Sequence, residues 1–197
     1  MSNFALVVSS PSGGGKTTVV NALLKLRGDI KRVVTATTRA PRTGEKNGRD
    51  YWFWSVSKFE TAVKKGLMAE HAKVFADYYG VPKAGLDSLL KKNIIPVLVI
   101  DVQGAKTVKK IYRDAVLVFI TPPSMAVLKK RLLARPGGTN DINLRLKTAK
   151  KEMAQIKHYD YLVVNDIVET AAENLSDIIT AEKLKIKRSQ NVNGKRI

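Results

Sequence analysis

The chain contains no cysteine. That excludes disulfides, a thiolate zinc site and a cysteine nucleophile. Its two histidines, His71 and His158, stand far apart, so a structural zinc site is not expected. Acidic residues are scarce, 17 Asp and Glu against 35 Lys and Arg, and the formal net charge is +18. Long apolar runs are missing as well. The most apolar later run, residues 94–100, is too short to span a bilayer and holds Pro96. No basic segment precedes the short apolar run near the N-terminus, so no signal peptide is expected. These absences lead us to expect a soluble, cytoplasmic protein with no membrane partner. A length of 197 residues suits one domain carrying inserted lobes. The positive field attracts phosphate-bearing molecules and favours weak, non-specific nucleic-acid binding. No recognised nucleic-acid motif accompanies it, so most of the charge reads as a solvated basic surface.

What is present begins with Ser9-Ser10-Pro11-Ser12-Gly13-Gly14-Gly15-Lys16-Thr17-Thr18. The apolar run Phe4-Ala5-Leu6-Val7-Val8 precedes it, and Val19, Val20, Leu23 and Leu24 follow at helical spacing. Strand, glycine-rich turn and helix are the context of a P-loop. The glycines let backbone amides approach phosphates closely, and the helix start adds free N–H donors with partial positive charge. Lys16 suits the β- and γ-phosphates, and the Thr17 hydroxyl suits Mg2+. Ser10 occupies the position where the pattern asks for its first glycine. A P-loop by itself names no substrate.

The first helix is expected over residues 17–26, ending near Gly28, and a second strand over residues 31–36. A loop rich in Pro, Gly and Asn follows, with Arg39 and Arg42 around Pro41, able to fork a phosphate monoester. Residues 51–54 read as a short aromatic strand. Ser57 and Glu60 form a capping-box pattern for a helix closed by Gly66. Residues 68–75 and 77–82 read as strands. Residues 35–86 thus lack the regular strand–helix alternation on either side and read as a mixed lobe inserted into an α/β core.

The core resumes with a helix over residues 84–92 and a buried strand over residues 94–100 that ends at Asp101, where parallel sheets bind ligands. The next helix is expected to turn Ala105, Val108 and Ile111 to one face, and residues 115–120 to form another buried strand. Ser124 caps a helix carrying Arg131 and Arg135, and Asp141 opens another, with Arg145 near its start and Leu146, Ala149, Met153 and Ile156 inward. With the glycine loop between them they read as a mobile lid. A last strand over residues 161–165, a last helix over residues 169–187 and a basic tail over residues 189–197 complete the chain.

Several separated motifs resemble those of the guanylate kinases, in that family's order and over nearly the whole length. They are the P-loop, Thr37-Thr38-Arg39-Ala40-Pro41-Arg42 with Gly44-Glu45, Asn47-Gly48-Arg49-Asp50-Tyr51, Tyr78-Tyr79-Gly80, Ile100-Asp101-Val102-Gln103-Gly104, Leu128-Lys129-Lys130-Arg131-Leu132 and Tyr161-Leu162-Val163-Val164-Asn165-Asp166. The resemblance implies an α/β P-loop NTPase core, a parallel β-sheet flanked by helices, with a mixed α/β GMP-binding lobe and a helical lid. The core would span residues 1–34, 87–130 and 158–188, the lobe 35–86 and the lid 131–157.

It also implies transfer of the γ-phosphoryl of ATP to GMP, in purine nucleotide metabolism. Ser10, Pro11, Ser12, Gly13, Gly14, Gly15, Lys16, Thr17, Thr18 and Asn165 would serve ATP, with Mg2+ at Thr17. Arg39, Arg42, Tyr51 and Tyr79 would hold the GMP phosphate. Thr35, Glu70 and Asp101 would read guanine, whose N1–H and amino group are donors that carboxylates accept. Lys16, Arg39, Arg131, Arg135 and Arg145 would neutralise charge on the moving phosphoryl, with no covalent intermediate. The expected partners are these two nucleotides, and the expected state is a monomer or small homo-oligomer.

Departures from the family pattern are Ser10, Val81 in place of a hydroxyl residue, Val99 in place of an acid near the metal, and a shorter, less acidic lid loop at residues 136–140. Three alternatives stay open at this level: a phosphopeptide-binding module of the same fold, a P-loop kinase with another acceptor, and charge-driven nucleic-acid binding.

Overall fold

The computed structural model describes residues 4–74, 76–134 and 141–189. Its centre is a five-stranded parallel sheet in the order β2-β7-β1-β8-β9, formed by β1 (Leu6–Ser9), β2 (Ile30–Arg32), β7 (Ile95–Val99), β8 (Val116–Thr121) and β9 (Tyr161–Val164). The three central strands, β7, β1 and β8, are apolar on both faces because helices cover both, whereas the edge strands β2 and β9 are partly exposed. Side chains alternate across a strand. Leu6 and Val8 therefore join the layer formed by α1 (Lys16–Leu26) and α7 (Val168–Leu184), with Val20, Leu23, Leu175 and Ile179. Ala5 and Val7 join the opposite layer, with α3 (Lys83–Lys91) and α4 (Val102–Ile111), through Leu86, Ala105 and Val108.

A second, four-stranded sheet has the order β4-β3-β6-β5, from β3 (Ala36–Thr37), β4 (Trp52–Phe53), β5 (Met68–Val74) and β6 (Asp77–Pro82). β3 pairs antiparallel with β6 and parallel with β4. Its own small core is Ala36, Phe59, Ala62 and Met68, with Phe59 of α2 (Val56–Lys64) stacked on Tyr78 at 5.5 Å. A third packing unit joins α5 (Met125–Leu133) to α6 (Ile142–Met153) through Leu128, Leu132 and Ala149.

Four local expectations are revised. Residues 31–36 do not form one strand. The Val33 amide still bonds to Val97 of the large sheet, at 2.9 Å, but the Thr35 carbonyl already accepts from Trp52 of the small sheet, at 2.9 Å. The apolar pattern continues while the hydrogen-bond partner changes. The cap of α2 is Ser55 rather than Ser57, its hydroxyl accepting from the Lys58 amide at 3.2 Å. Trp54 before the cap packs on Phe59 inside it, a hydrophobic staple that fixes the helix start.

On α4 the buried stripe runs Ala105, Val108 and then half-buried Tyr112, which leaves Ile111 exposed. Finally, α7 ends at Leu184 and a separate short helix, α8 (Ile186–Ser189), follows. The chain turns there because Glu182, fully buried, gathers Tyr161, Lys185 and Arg188 around its carboxylate. Arg188 also lies over the Phe4 ring. Among the described residues no helix is long and apolar enough to cross a membrane.

Candidate active site

The turn from β1 into α1 carries residues 10–15. Gly15 is the N-cap of α1, at φ +91°, a conformation that side-chain-bearing residues rarely adopt. A Cβ there would collide with the side-chain amide of Asn165. That amide donates to the Gly14 carbonyl at 2.9 Å, so β9's end ties down the loop from beneath. Ser10, the departure from the glycine pattern, is buried, and among the described non-glycine residues only Asn93 has positive φ. A side chain at position 10 therefore imposes no backbone strain. Its hydroxyl donates to the Pro11 carbonyl at 3.0 Å, and the Lys16 ammonium donates to the Ser10 carbonyl at 2.9 Å.

A cleft of about 560 Å³ opens over this loop, lined also by Thr17, Thr18, Val99, Asp101, Arg131, Arg145, Glu152 and Asn165. Arg131 comes from α5 and donates to the Asn165 carbonyl at 3.0 Å. Its other terminal nitrogen is buried beside the loop with no hydrogen-bond partner among the described residues. A buried donor left over in this way is suited to an anion. Arg145, on α6, donates to the Ser12 hydroxyl at 3.3 Å. Arg135, expected beside these two, lies outside the described residues, as do residues 136–140.

A second cleft, of about 540 Å³, is lined by Arg32, Arg39, Arg42, Tyr51 and Tyr79, and shares Ser12, Thr17, Tyr51 and Arg145 with the first. Arg39 donates to both carboxylate oxygens of Glu45, at 2.9 Å each, and sits over the Tyr51 ring at 5.5 Å. Burial works against ionising Glu45, but the Arg42 amide and the Arg39 guanidinium outweigh it and hold its carboxyl below the usual value.

Between the clefts lies a narrower cavity of about 150 Å³, lined by Lys16, Thr35, Tyr51, Glu70, Tyr79, Val99 and Asp101 among others. Glu70 stands on β5, at a register irregularity between Met68 and Glu70. Only 4% of it is exposed. Burial, with the Asp101 charge adding to it and the Val81 amide easing it, pushes the Glu70 carboxyl up to about 8. Asp101 caps α4, accepting from the Gly104 amide at 2.8 Å. Val81 is fully buried in the core and lines none of these spaces.

Apart from Gly14 and Arg135, the residues expected from the sequence line one or more of these three spaces, which share several of them. Asn165 enters the first as a prop for the loop. Sequence reasoning passed over Arg32 and Glu152. Glu152 accepts from the Ser12 amide at 3.4 Å. Burial raises its carboxyl above the usual value, with Lys16 and the Ser12 amide opposing. Its signal was available: residues 145, 148 and 152 share one face of α6, and all three line the first cleft. For Arg32, the last residue of β2, no local pattern marks a functional position.

A parallel sheet with a glycine loop between its first strand and helix, facing an arginine-lined cleft across a shared opening, defines a P-loop phosphotransferase. The family model described as guanylate kinase matches residues 2–182. The guanylate kinase of Clostridioides difficile (strain 630) is 43% identical over 188 residues, covering 95% of this chain and 92% of that one. That of Legionella pneumophila (strain Lens) is 43% identical over 190 residues, covering 96% and 91%. The crystal structure of guanylate kinase from Anaplasma phagocytophilum superposes with a TM-score of 0.81 at 40% identity, covering 94% of this chain and 89% of that one. The chain belongs to the guanylate kinase family, and it is an ATP-dependent kinase that phosphorylates GMP.

Proposed function

We propose that the first cleft receives ATP, with its phosphates on the amides of residues 12–17, and that the second receives the GMP phosphate. The observation that carries this reading is the sharing of Ser12, Thr17, Tyr51 and Arg145 by both clefts. Two anions seated in them meet at the shared residues. An oxygen of the GMP phosphate attacks the γ-phosphorus, the bond to the β–γ bridging oxygen breaks, and ADP leaves with that electron pair. The attacking phosphate is largely ionised at neutral pH, so no general base is needed. Catalysis is alignment and charge neutralisation by Lys16, Arg39, Arg131 and Arg145.

Arg42, Tyr51 and Tyr79 complete the phosphate grip. Glu70 and Asp101 accept from guanine N1–H and its amino group, beside Thr35. Adenine has an acceptor at N1 and would leave a buried carboxylate unpaired, which is the basis of base selection. Residues 35–86 act as the acceptor lobe and residues 131–157 as the lid. The setting we assign is purine nucleotide metabolism in the cytoplasm.

The Thr17 hydroxyl, Asp101 and Glu152 offer oxygen donors around the first cleft, the donor type Mg2+ prefers. Among the described residues no three acidic or histidine side chains cluster as a self-sufficient metal site, which fits an ion carried in on ATP. Bound there, Mg2+ would offset charge on the β- and γ-phosphates.

The test is a coupled ADP-release assay with GMP, dGMP, AMP, CMP and UMP as acceptors, run on the wild type and on Lys16→Ala. The expected result is turnover with the guanine acceptors and its loss, with the fold retained, in the variant. Equal use of all five acceptors, or full activity in Lys16→Ala, would overturn the assignment of these clefts.

A further inference from the structure

We propose that Arg32 is a third arginine for the acceptor's phosphate, acting beside Arg39 and Arg42. The inference rests on the second cleft being the acceptor site.

Arg32 ends β2, where the chain leaves the large sheet for the small one. It lines the same cleft as Arg39, Arg42, Tyr51 and Tyr79. Its guanidinium lies over the Tyr51 ring at 5.9 Å, and Arg39 lies over the same ring at 5.5 Å. Tyr51 is thus flanked by two cations that line one cleft. An aromatic face lowers the cost of holding a guanidinium out of water, and guanidinium is weakly hydrated to begin with.

Its partners within the protein are few. One terminal nitrogen donates to the Asp50 carbonyl at 3.3 Å. Its Nε–H is buried with no acceptor among the described residues. No carboxylate lies within ion-pair distance of it there: Asp50, which feels the Arg32 charge at longer range, has its carboxylate hydrogen-bonded by Arg49 and by the Lys46 amide. Arg39, by contrast, is matched by Glu45. A cation with a buried unused donor and no ion-pair partner among the described residues, lining a cleft with two other arginines, calls for an anion from outside. A phosphate monoester in this cleft supplies both the charge and the acceptor.

Arg32 therefore adds affinity for the phosphate of the acceptor and none for its base. The experiment compares GMP with guanosine, which lacks the phosphate, on wild type, Arg32→Gln and Arg32→Lys. GMP binding is measured by calorimetry and guanosine by competitive inhibition against GMP. For Arg32→Gln we expect about a tenfold rise in Kd and KM for GMP, the size of one charge-assisted hydrogen bond. Guanosine inhibition, the KM for ATP and the melting temperature should stay as in wild type. Arg32→Lys keeps the charge and should fall between the two. Unchanged GMP affinity in Arg32→Gln, or an equal loss for GMP and guanosine, would show that Arg32 merely props up the Asp50–Tyr51 loop and would overturn the inference. Wild-type protein that binds no GMP would instead overturn the acceptor assignment on which it rests.

Discussion

The Glu70 carboxylate lies against Gly104 so closely that a Cβ at position 104 would stand 2.5 Å from its Oε2. Gly104 sits in the first turn of α4, where alanine is by itself the better helix former, by about 1 kcal/mol. Gly104→Ala should therefore leave α4 intact while pushing the carboxylate out of place. The expected outcome is a rise in KM for GMP of about tenfold, the worth of one hydrogen bond to a charged group. The KM for ATP should not change. Steady-state kinetics with each substrate varied in turn decides it.

Glu70 also links binding to protons. With its carboxyl at about 8, the free protein holds it mostly protonated at pH 7. Guanine's donors require the ionised form, so GMP binding should release close to one proton per site. Calorimetry at pH 7 in buffers of different ionisation heat reads that number directly. The window lies above the phosphate's own second pKa of about 6, which keeps the two titrations apart. GMP affinity should climb with pH and level off above about 8, and Glu70→Gln should abolish both effects.

The stability of the ligand-free protein runs the other way. A carboxyl whose folded pKa exceeds the ordinary 4.5 contributes fully below that value, and the contribution fades as pH rises through about 8. Glu70→Gln should flatten this slope in chemical unfolding.

Glu182 tests the far end of the fold. Burial opposes its ionisation, but the Lys185 and Tyr161 hydrogen bonds and the Arg188 charge hold its carboxyl below 4.5. Glu182→Ala leaves the guanidinium of Arg188, which is mostly buried, without its counter-charge, at a cost of about 3 kcal/mol near pH 7. Because the folded pKa is depressed, that difference is present above about 4.5 and shrinks as pH falls below it. Denaturant titrations of both proteins at pH 7 and at acid pH measure it. Turnover at low temperature should be unaffected, because the cluster lines neither cleft.

Val99, at a position where the family resemblance leads one to expect an acid, lines the first cleft, as do the carboxylates of Asp101 and Glu152. If Glu152 supplies the missing charge, Glu152→Gln should weaken Mn2+ binding to the protein–ADP complex several-fold, read by electron paramagnetic resonance. ADP binding without metal should change little. Val99→Asp in the Glu152→Gln background should restore the metal affinity.

Many of the residues that line the clefts were legible in the chain because the motifs that carry them are local. The P-loop is a contiguous run whose glycines, Lys16 and Thr17 act within a single turn. The apolar runs predicted buried strands because both sheet faces are covered. Boundaries slipped where neighbours compete: Ser55 and Ser57 can each cap α2, and the packing of Trp54 on Phe59 selects the first. Residues 31–36 carry one apolar pattern but divide between two sheets, because strand pairing is a property of partners and not of the strand.

The sequence alone marked the glycine loop with Lys16 and Thr17 and the arginine pair around Pro41, since each depends on residue type and spacing along the backbone; Glu70 and Asp101 were paired only through the family resemblance. Only the tertiary structure decided that Ser10 is free of strain, that Asn165 supports Gly14, that Glu70 and Asp101 line one cavity and that Arg32 and Glu152 line the clefts. Those outcomes are set by which side chains meet across elements distant in the chain, where packing and burial act and linear spacing carries no signal.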